Sequence, residues 1–124
     1  MPLISEHTRQ ADHNEALLGL CPAMTPYSDW YVTIMFYAAL HRVQALLHHR
    51  GYDDTQCDLH TKTRDLLRND VVLRLETDLR NHYRDLSDDS RAARYRLGRF
   101  SQVQVSDLRE RYENLKQRVG QLML

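Results

Sequence analysis

The chain has 124 residues, and its 17 basic and 17 acidic side chains give it no formal net charge. A chain of this length fits one compact domain that buries its own core. Zero net charge excludes a general electrostatic attraction to nucleic acid or membrane, so any such attraction has to be local. The two cysteines, Cys21 and Cys57, match no zinc or redox spacing.

The N-terminal segment "MPLISEHTRQ" lacks the basic start and apolar run of a secretory signal. The longest apolar stretch, residues 30–40, is about half of the length that a bilayer crossing needs. We therefore expect a cytoplasmic protein with reduced thiols and no membrane association.

Helical spacing dominates the chain, which has only four glycines and three prolines. It predicts a first helix over about residues 5–18 and a second over about residues 29–50. Ser28 is a suitable N-cap for the second helix, and Gly51 suits a left-handed C-terminal position. The polar segment "YDDTQCD" is expected to be a loop before a third helix that is capped by Asp58.

The second half predicts a fourth helix over about residues 71–86. The polar segment "SDDS" then interrupts the helical pattern. One or two helical turns are then expected to end near Gly98, before a last helix over about residues 102–122. The last helix has one apolar stripe with steps of four and three, formed by Leu108, Tyr112, Leu115, Val119 and Leu122.

The segment "DWYVTIMFYAALH", which ends at His41, is apolar on nearly all sides. A helix of this kind belongs at the centre of a bundle. The predicted fold is therefore all-α, a single-domain bundle of four to five helices over residues 1–124.

Three segments, taken in order, carry a family resemblance. They are "DWYVTIMFYAALHRVQALLHHRGY", "LHTKTR" and "YRDLSDDSRAARY", and they lie within about residues 27–100. In this order and spacing they resemble elements of the HEPN family. The resemblance implies an all-helical, commonly dimeric bundle that occurs beside nucleotidyltransferases or in toxin–antitoxin and antiviral systems.

Many HEPN proteins are metal-independent ribonucleases, and their signature is an Arg followed, after four to six residues, by a His. Here only Arg42 has that spacing, to His48 and to His49. Chance alone predicts roughly two or three such pairs in a chain of this composition. The sequence therefore leaves open whether the protein is an enzyme.

Two histidines are candidate catalytic residues. His41 shares a helical stripe with Ile34 and Tyr37, and it is either a hydrogen-bonded core histidine or the floor of a polar pocket. His60 lies one turn before Arg64, so the two are either an anion-binding pair or an exposed polar pair. His48 and His49 have a structural explanation, because cations favour the last turn of a helix.

Arginines alternate with aromatic residues in "SRAARYRLGRF", a combination that suits phosphate binding and base stacking. The alternative is that these arginines pair with Asp85, Asp88 and Asp89 and fasten a helix junction. We expect the pocket to form where the second helix, the third helix and this segment converge. The predicted RNA- or nucleotide-binding residues are Tyr37, Arg64, Tyr83, Arg91, Arg94 and Tyr95.

No metal site and no cofactor are expected, because His41 and His48 are about 10 Å apart along their helix. The favoured function is an HEPN-like RNA- or nucleotide-binding protein, a homodimer that acts with a nucleotidyltransferase-type or antitoxin partner. One alternative is a metal-independent ribonuclease. Another is a non-catalytic interaction domain that dimerises through the stripe of the last helix.

Overall fold

The computed structural model describes residues 4–20, 27–57, 60–95 and 100–124. These residues form six α-helices and one 3-10 turn, with no strand among them, so the predicted all-α bundle is confirmed. No helix in these ranges is long and apolar enough to cross a membrane. The elements are α1 (Ile4–Leu20), α2 (Ser28–His49), α3 (Asp54–Cys57), α4 (His60–Asn69), the 3-10 turn (Leu73–Leu75), α5 (Thr77–Tyr95) and α6 (Gln102–Leu122).

The central helix of the bundle is α2, as predicted, and it packs against α1, α5 and α6. Its side chains are buried over most of its circumference, with Val32, Phe36 and Leu46 fully enclosed. One edge is open, since Trp30 is 64% exposed and Tyr37 is 36% exposed. These two aromatic residues therefore mark the solvent edge of α2, on the stripe that also carries His41 and the partly buried Ile34.

The two ends of α2 differ in how well the sequence predicted them. Gly51 has a φ of 99°, which confirms the left-handed residue after the helix. The N-cap is Tyr27, with no side-chain hydrogen bond, so the prediction that Ser28 caps the helix was wrong. Ser28 is instead buried, and its hydroxyl oxygen accepts the Phe100 N–H at 3.4 Å. The serine thus joins the start of α2 to the segment before α6.

The last helix, α6, has the predicted bounds, and it begins with a capping box between Ser101 and Gln104. Its apolar stripe belongs to the chain's own core, in which Leu108, Tyr112 and Leu115 are buried. The stripe packs toward α2 and α5. It therefore does not offer a free dimerisation face, and that expectation was wrong.

Two corrections concern α5, which begins at Thr77 and continues through "SDDS" to Tyr95. Ser87 and Ser90 are buried on the same face as Leu86 and Ala93. Small serine side chains therefore continue the inward face where the sequence suggested a polar break. The predicted turns that follow α5, up to Gly98, lie outside the described residues.

Between α4 and α5, the chain makes a turn that is stabilised by Asp70, which is buried directly after α4. For this reason α5 begins later than predicted. The Asp70 carboxylate accepts the backbone N–H groups of Val72 and Leu73 at 2.9 and 3.0 Å. Arg50 Nε and the Tyr52 hydroxyl also donate to it, both at 2.9 Å. These bonds hold the chain in the turn that precedes α5.

The segment "YDDTQCD" contains a helical turn, α3, where a loop was predicted. Asp53 begins it as an acceptor for the Gln56 N–H at 3.0 Å, a local bond typical of aspartate before a helix. Asp58, the predicted cap of the next helix, lies outside the described residues.

Candidate functional site

A basic cavity of about 240 Å³ lies between α4 and α5. Four arginines line it together with an asparagine amide, which is an unusual concentration of donors around one concavity in a chain of zero net charge. Its walls are Arg64, Leu67 and Arg68 from α4, and Arg80, Asn81, Tyr83 and Arg84 from α5.

Three of these arginines have acidic partners at the surface. Arg64 pairs with Asp88 at 3.0 Å, Arg68 with Asp65 at 3.2 Å, and Arg84 with Asp85 at 3.3 Å. Such exposed ion pairs contribute little to stability, about 0 to 1 kcal/mol, so their guanidinium groups can exchange partners readily. The fourth differs, because the Nε atom of Arg80 is buried and has no hydrogen-bond partner among the described residues. One of the arginines that line the cavity thus carries an unused donor.

The basic surface continues along α5 toward its C-terminal end. At 3.6 residues per turn, Arg80, Arg84, Arg91, Arg94 and Tyr95 fall within an arc of about 100°. Arg91 is exposed, and Tyr95 is 74% exposed. The predicted Arg91, Arg94 and Tyr95 therefore share one side of α5 with the cavity, which we call the basic side of α5.

Arg94 is fixed by aromatic residues rather than by carboxylates. Its Nη1 donates to the Tyr37 hydroxyl at 2.5 Å, and its guanidinium lies 5.2 Å from the Tyr95 ring centre and 5.8 Å from that of Phe36. These are cation–π distances. The structure thus brings together two residues predicted from distant parts of the sequence, Tyr37 and Arg94.

The acidic residues of α5 lie mainly toward α6, where they line a second cavity of about 420 Å³ with Asp107 and Arg111. Arg111 pairs with Asp85 at 2.6 Å. Burial and the neighbouring Asp85 and Asp88 raise the pKa of Asp89. Among the described residues, the ion pairs of Asp85 and Asp88 are with Arg64, Arg84 and Arg111, and none is with Arg91 or Arg94. The other arginines of that segment lie outside the described residues.

Tyr83, also predicted to bind RNA or a nucleotide, is a core residue with 1% of its surface exposed. Its ring packs against Phe36 with 5.9 Å between ring centres. Burial raises the pKa of its hydroxyl, while the Arg64 charge acts in the opposite direction. Tyr83 therefore forms the floor of the basic cavity, and its ring is covered and not open for stacking with a base.

His41 contacts α1 rather than the arginines of the predicted pocket. Its Nδ1 lies 3.1 Å from the Nδ1 of His7, so one ring donates to the other. Burial, and secondly the proximity of His7, lower the pKa of His41. A neutral, hydrogen-bonded histidine is one of the two interpretations that the sequence allowed. The side chain of His60, the other predicted catalytic residue, lies outside what the structure describes.

His7 and His41 belong to a larger group with His48 and Asp54, which we call the histidine–aspartate cluster. The Oδ1 atom of Asp54 lies 3.0 Å from His7 Nε2 and 2.5 Å from His48 Nε2. Burial alone would raise the pKa of Asp54, but its hydrogen bonds with His7 and His48 lower it. The cluster joins α1, α2 and α3.

Sequence reasoning missed His7 and Asp54 as partners of His48. One signal pointed to His7, since it shares a helical face with Ala11 and Leu18, and all three are buried. No comparable pattern marked Asp54, which lies 47 positions from His7 in the sequence.

The pair with ribonuclease spacing, Arg42 and His48, does not form one surface. Arg42 is 8% exposed, and its guanidinium donates to the Tyr112 hydroxyl at 3.0 Å and to Asp12 at 2.7 Å. Tyr112 in turn donates to Glu15 at 2.8 Å. Arg42 thus serves a hydrogen-bond network inside the bundle, while His48 belongs to the histidine–aspartate cluster.

Comparisons of the chain with models of known families, with curated proteins and with solved structures found no match. The basis for a function is therefore the geometry of the chain itself, together with the resemblance of its three sequence segments.

Proposed function

We propose that this protein binds RNA through the basic cavity and the basic side of α5. The observation that carries the proposal is that four arginines line one cavity, and that one of them, Arg80, has a buried Nε without a hydrogen-bond partner among the described residues. A buried donor without a partner costs about 1 to 3 kcal/mol, so an anion that supplies an acceptor there gains free energy. A phosphate group has the charge and the oxygen geometry that guanidinium groups bind best.

A nucleic-acid strand fits this surface better than a single nucleotide does. Residues 80–95 of α5 span about 22 Å by helix rise, so the arginines are spread over several phosphates. The exposed ring of Tyr95, held beside Arg94, supplies a surface on which a base can stack. Single-stranded RNA presents both its phosphates and its bases to such a surface.

The resemblance to HEPN proteins supports a biological setting for this activity. A helical RNA-binding domain of that kind acts, in our proposal, as a homodimer in a toxin–antitoxin or antiviral system, with a nucleotidyltransferase-type or antitoxin partner. We do not adopt the metal-independent ribonuclease, because Arg42, which has the required spacing to a histidine, is engaged inside the bundle.

Fluorescence anisotropy with a labelled single-stranded RNA tests the proposal. The chain is expected to bind at low salt, and the double variant Arg80→Ala/Arg84→Ala is expected to lose roughly tenfold in affinity for each phosphate contact removed. The slope of log K against log salt concentration should fall by roughly 1.4, since each phosphate neutralised on a single strand contributes about 0.7.

A matched control is the double variant Arg109→Ala/Arg118→Ala, which removes the same charge from α6. It should bind RNA with nearly the affinity of the unaltered chain. Equal losses of RNA affinity in the two double variants would show that affinity depends only on net charge. That result would contradict a site on α4 and α5. Absence of binding by the unaltered chain at low salt would reject RNA binding altogether.

A further inference from the structure

The histidine–aspartate cluster lies on α1, α2 and α3, and the proposed RNA surface does not use it. Three of its members, His7, His48 and Asp54, each offer one ligand atom, and these atoms all lie within 4.8 Å of one another. The His7 and His48 rings are stacked, with 4.9 Å between their centres and 23° between their planes. The side chains of His7 and His48 are 7% and 9% exposed, and that of Asp54 is 20% exposed.

We propose that His7, His48 and Asp54 form a binding site for a divalent transition-metal ion. The ligand atoms are the two Nε2 atoms and a carboxylate oxygen of Asp54. Around an ion bound at about 2.0 to 2.2 Å, neighbouring ligand atoms are separated by about 3 Å in octahedral and about 3.4 Å in tetrahedral coordination. The distances from Asp54 Oδ1 to the two Nε2 atoms are 3.0 and 2.5 Å, so the ligand atoms have to move apart by about 0.5 to 1 Å, through small side-chain rotations, to admit the ion.

Asp54 gives an independent reason to expect a ligand here. Both imidazoles are directed at its Oδ1, while its Oδ2 is buried without a hydrogen-bond partner among the described residues. A buried carboxylate oxygen without a partner is costly, and a bound ion removes that cost by supplying the missing partner. A cation bound at this carboxylate would compensate its negative charge.

His41 supplies the hydrogen bond that a metal-binding histidine requires. When His7 binds an ion through Nε2, its proton must be on Nδ1, which lies 3.1 Å from the Nδ1 of His41. His7 then donates to His41, whose own proton is on Nε2. Such an outer partner orients the ring and increases its basicity. His41 is therefore a positioning residue for the proposed site.

The ligand set indicates the class of ion. Two imidazoles and one carboxylate suit zinc, iron(II), cobalt, nickel or manganese, whereas calcium and magnesium prefer oxygen ligands alone. Three protein ligands leave at least one coordination position for water. Because the ligands come from three helices, the ion would also fasten α1 to α2 and α3.

Titration of the metal-free chain with Co²⁺ and Zn²⁺ tests the proposal. The chain should bind one Co²⁺ with a visible absorption band, which Zn²⁺ removes by displacement, and Zn²⁺ should raise the melting temperature. His48→Ala and Asp54→Asn should abolish the band. His41→Phe should weaken binding by about 10- to 100-fold and not abolish it, as expected for an outer partner.

The neighbouring histidine provides a matched control, since His49 is exposed one position after His48. His49→Ala should bind Co²⁺ as the unaltered chain does. The proposal is overturned if the unaltered chain shows no Co²⁺ band, or if His49→Ala loses binding as fully as His48→Ala does. The result on the unaltered chain decides the matter even if a ligand variant fails to fold, which circular dichroism would reveal.

Discussion

Asp70 is a buried carboxylate whose charge the fold stabilises. Although burial by itself raises the pKa of Asp70, hydrogen bonds from the Leu73 backbone, Arg50, Tyr52 and the Val72 backbone bring it to about 2, compared with 3.8 ordinarily. Its folded-state pKa is thus lower than its unfolded one. By linkage, Asp70 contributes stability that is fully present above about pH 4 and is lost as the pH falls toward 2.

This predicts a pH-dependent cost for Asp70→Asn. At pH 7 the variant should have a free energy of unfolding lower by about 2 kcal/mol or more, because the lost charge weakens four hydrogen bonds at once. The difference should narrow as the pH is lowered from about 4. Urea titrations across this range measure it, and Asp65→Asn, at an exposed position of α4, is the control. A difference that stays constant with pH would contradict this role.

At the scale of the element, Ser90 is a polar residue in an apolar environment. It is fully buried within α5, and its hydroxyl has no hydrogen-bond partner among the described residues. Ser90→Ala should therefore stabilise the protein by about 1 kcal/mol, through higher helix propensity and removal of a buried hydroxyl. Thermal unfolding measures the change. Ser106→Ala, exposed on α6, should gain only the smaller propensity contribution, and an equal gain at both serines would show that burial of the hydroxyl has no cost.

The individual helices also show how much of the fold could be predicted from the sequence. Periodic apolar patterns were sufficient for α2 and α6, because their faces are long and uniform. The interior of α5 was misjudged because Ser87 and Ser90 resemble loop residues in composition, yet they are small enough to pack. The delayed start of α5 depends on hydrogen bonds from Arg50 and Tyr52 to Asp70, and no local pattern encodes them.

The grouping of residues at the candidate sites, too, could be predicted most readily where they lie on the same helix. Arginines spaced along one helix, such as Arg91 and Arg94, could be recognised from the sequence, as could an aromatic residue beside them. The histidine–aspartate cluster could not, because its members meet only after α1 and α3 pack on α2. Sequence reasoning compared His41 with His48, which share a helix, whereas their partners His7 and Asp54 come from other helices.

At the scale of the whole molecule, charge is separated although the net charge is zero. One side of α5 carries the arginines of the basic cavity, while Asp85 and Asp89 lie toward α6 with Asp107. A polyanion is therefore attracted to one side of the bundle and repelled from another. Because of this separation, a protein with no net charge can bind a polyanion in one orientation. The net charge alone does not show this.

The bundle is also held together by one internal polar network, centred on Arg42 of α2. Arg42 bonds Asp12 and Tyr112, and Glu15 accepts from Tyr112 and from Lys116 at 3.0 Å, so the network joins α1, α2 and α6. Hydrogen bonds with Lys116 and Tyr112 hold the pKa of Glu15 down against the effect of its burial. Removing one partner of such a network leaves the others buried and uncompensated.

Arg42→Met should consequently destabilise the protein by about 3 kcal/mol, since the buried Tyr112 hydroxyl would lose its guanidinium partner and Glu15 would keep only Lys116 as a cationic neighbour among the described residues. This loss of unfolding free energy should depend on the other members of the network and not on Arg42 alone. In a double-mutant cycle, Glu15→Gln combined with Arg42→Met should cost clearly less than the sum of the two single changes, with a coupling of about 1 kcal/mol or more. Urea unfolding of the four proteins measures this coupling. Strict additivity would mean that Arg42 acts through packing of its aliphatic stem and not through its link to Glu15.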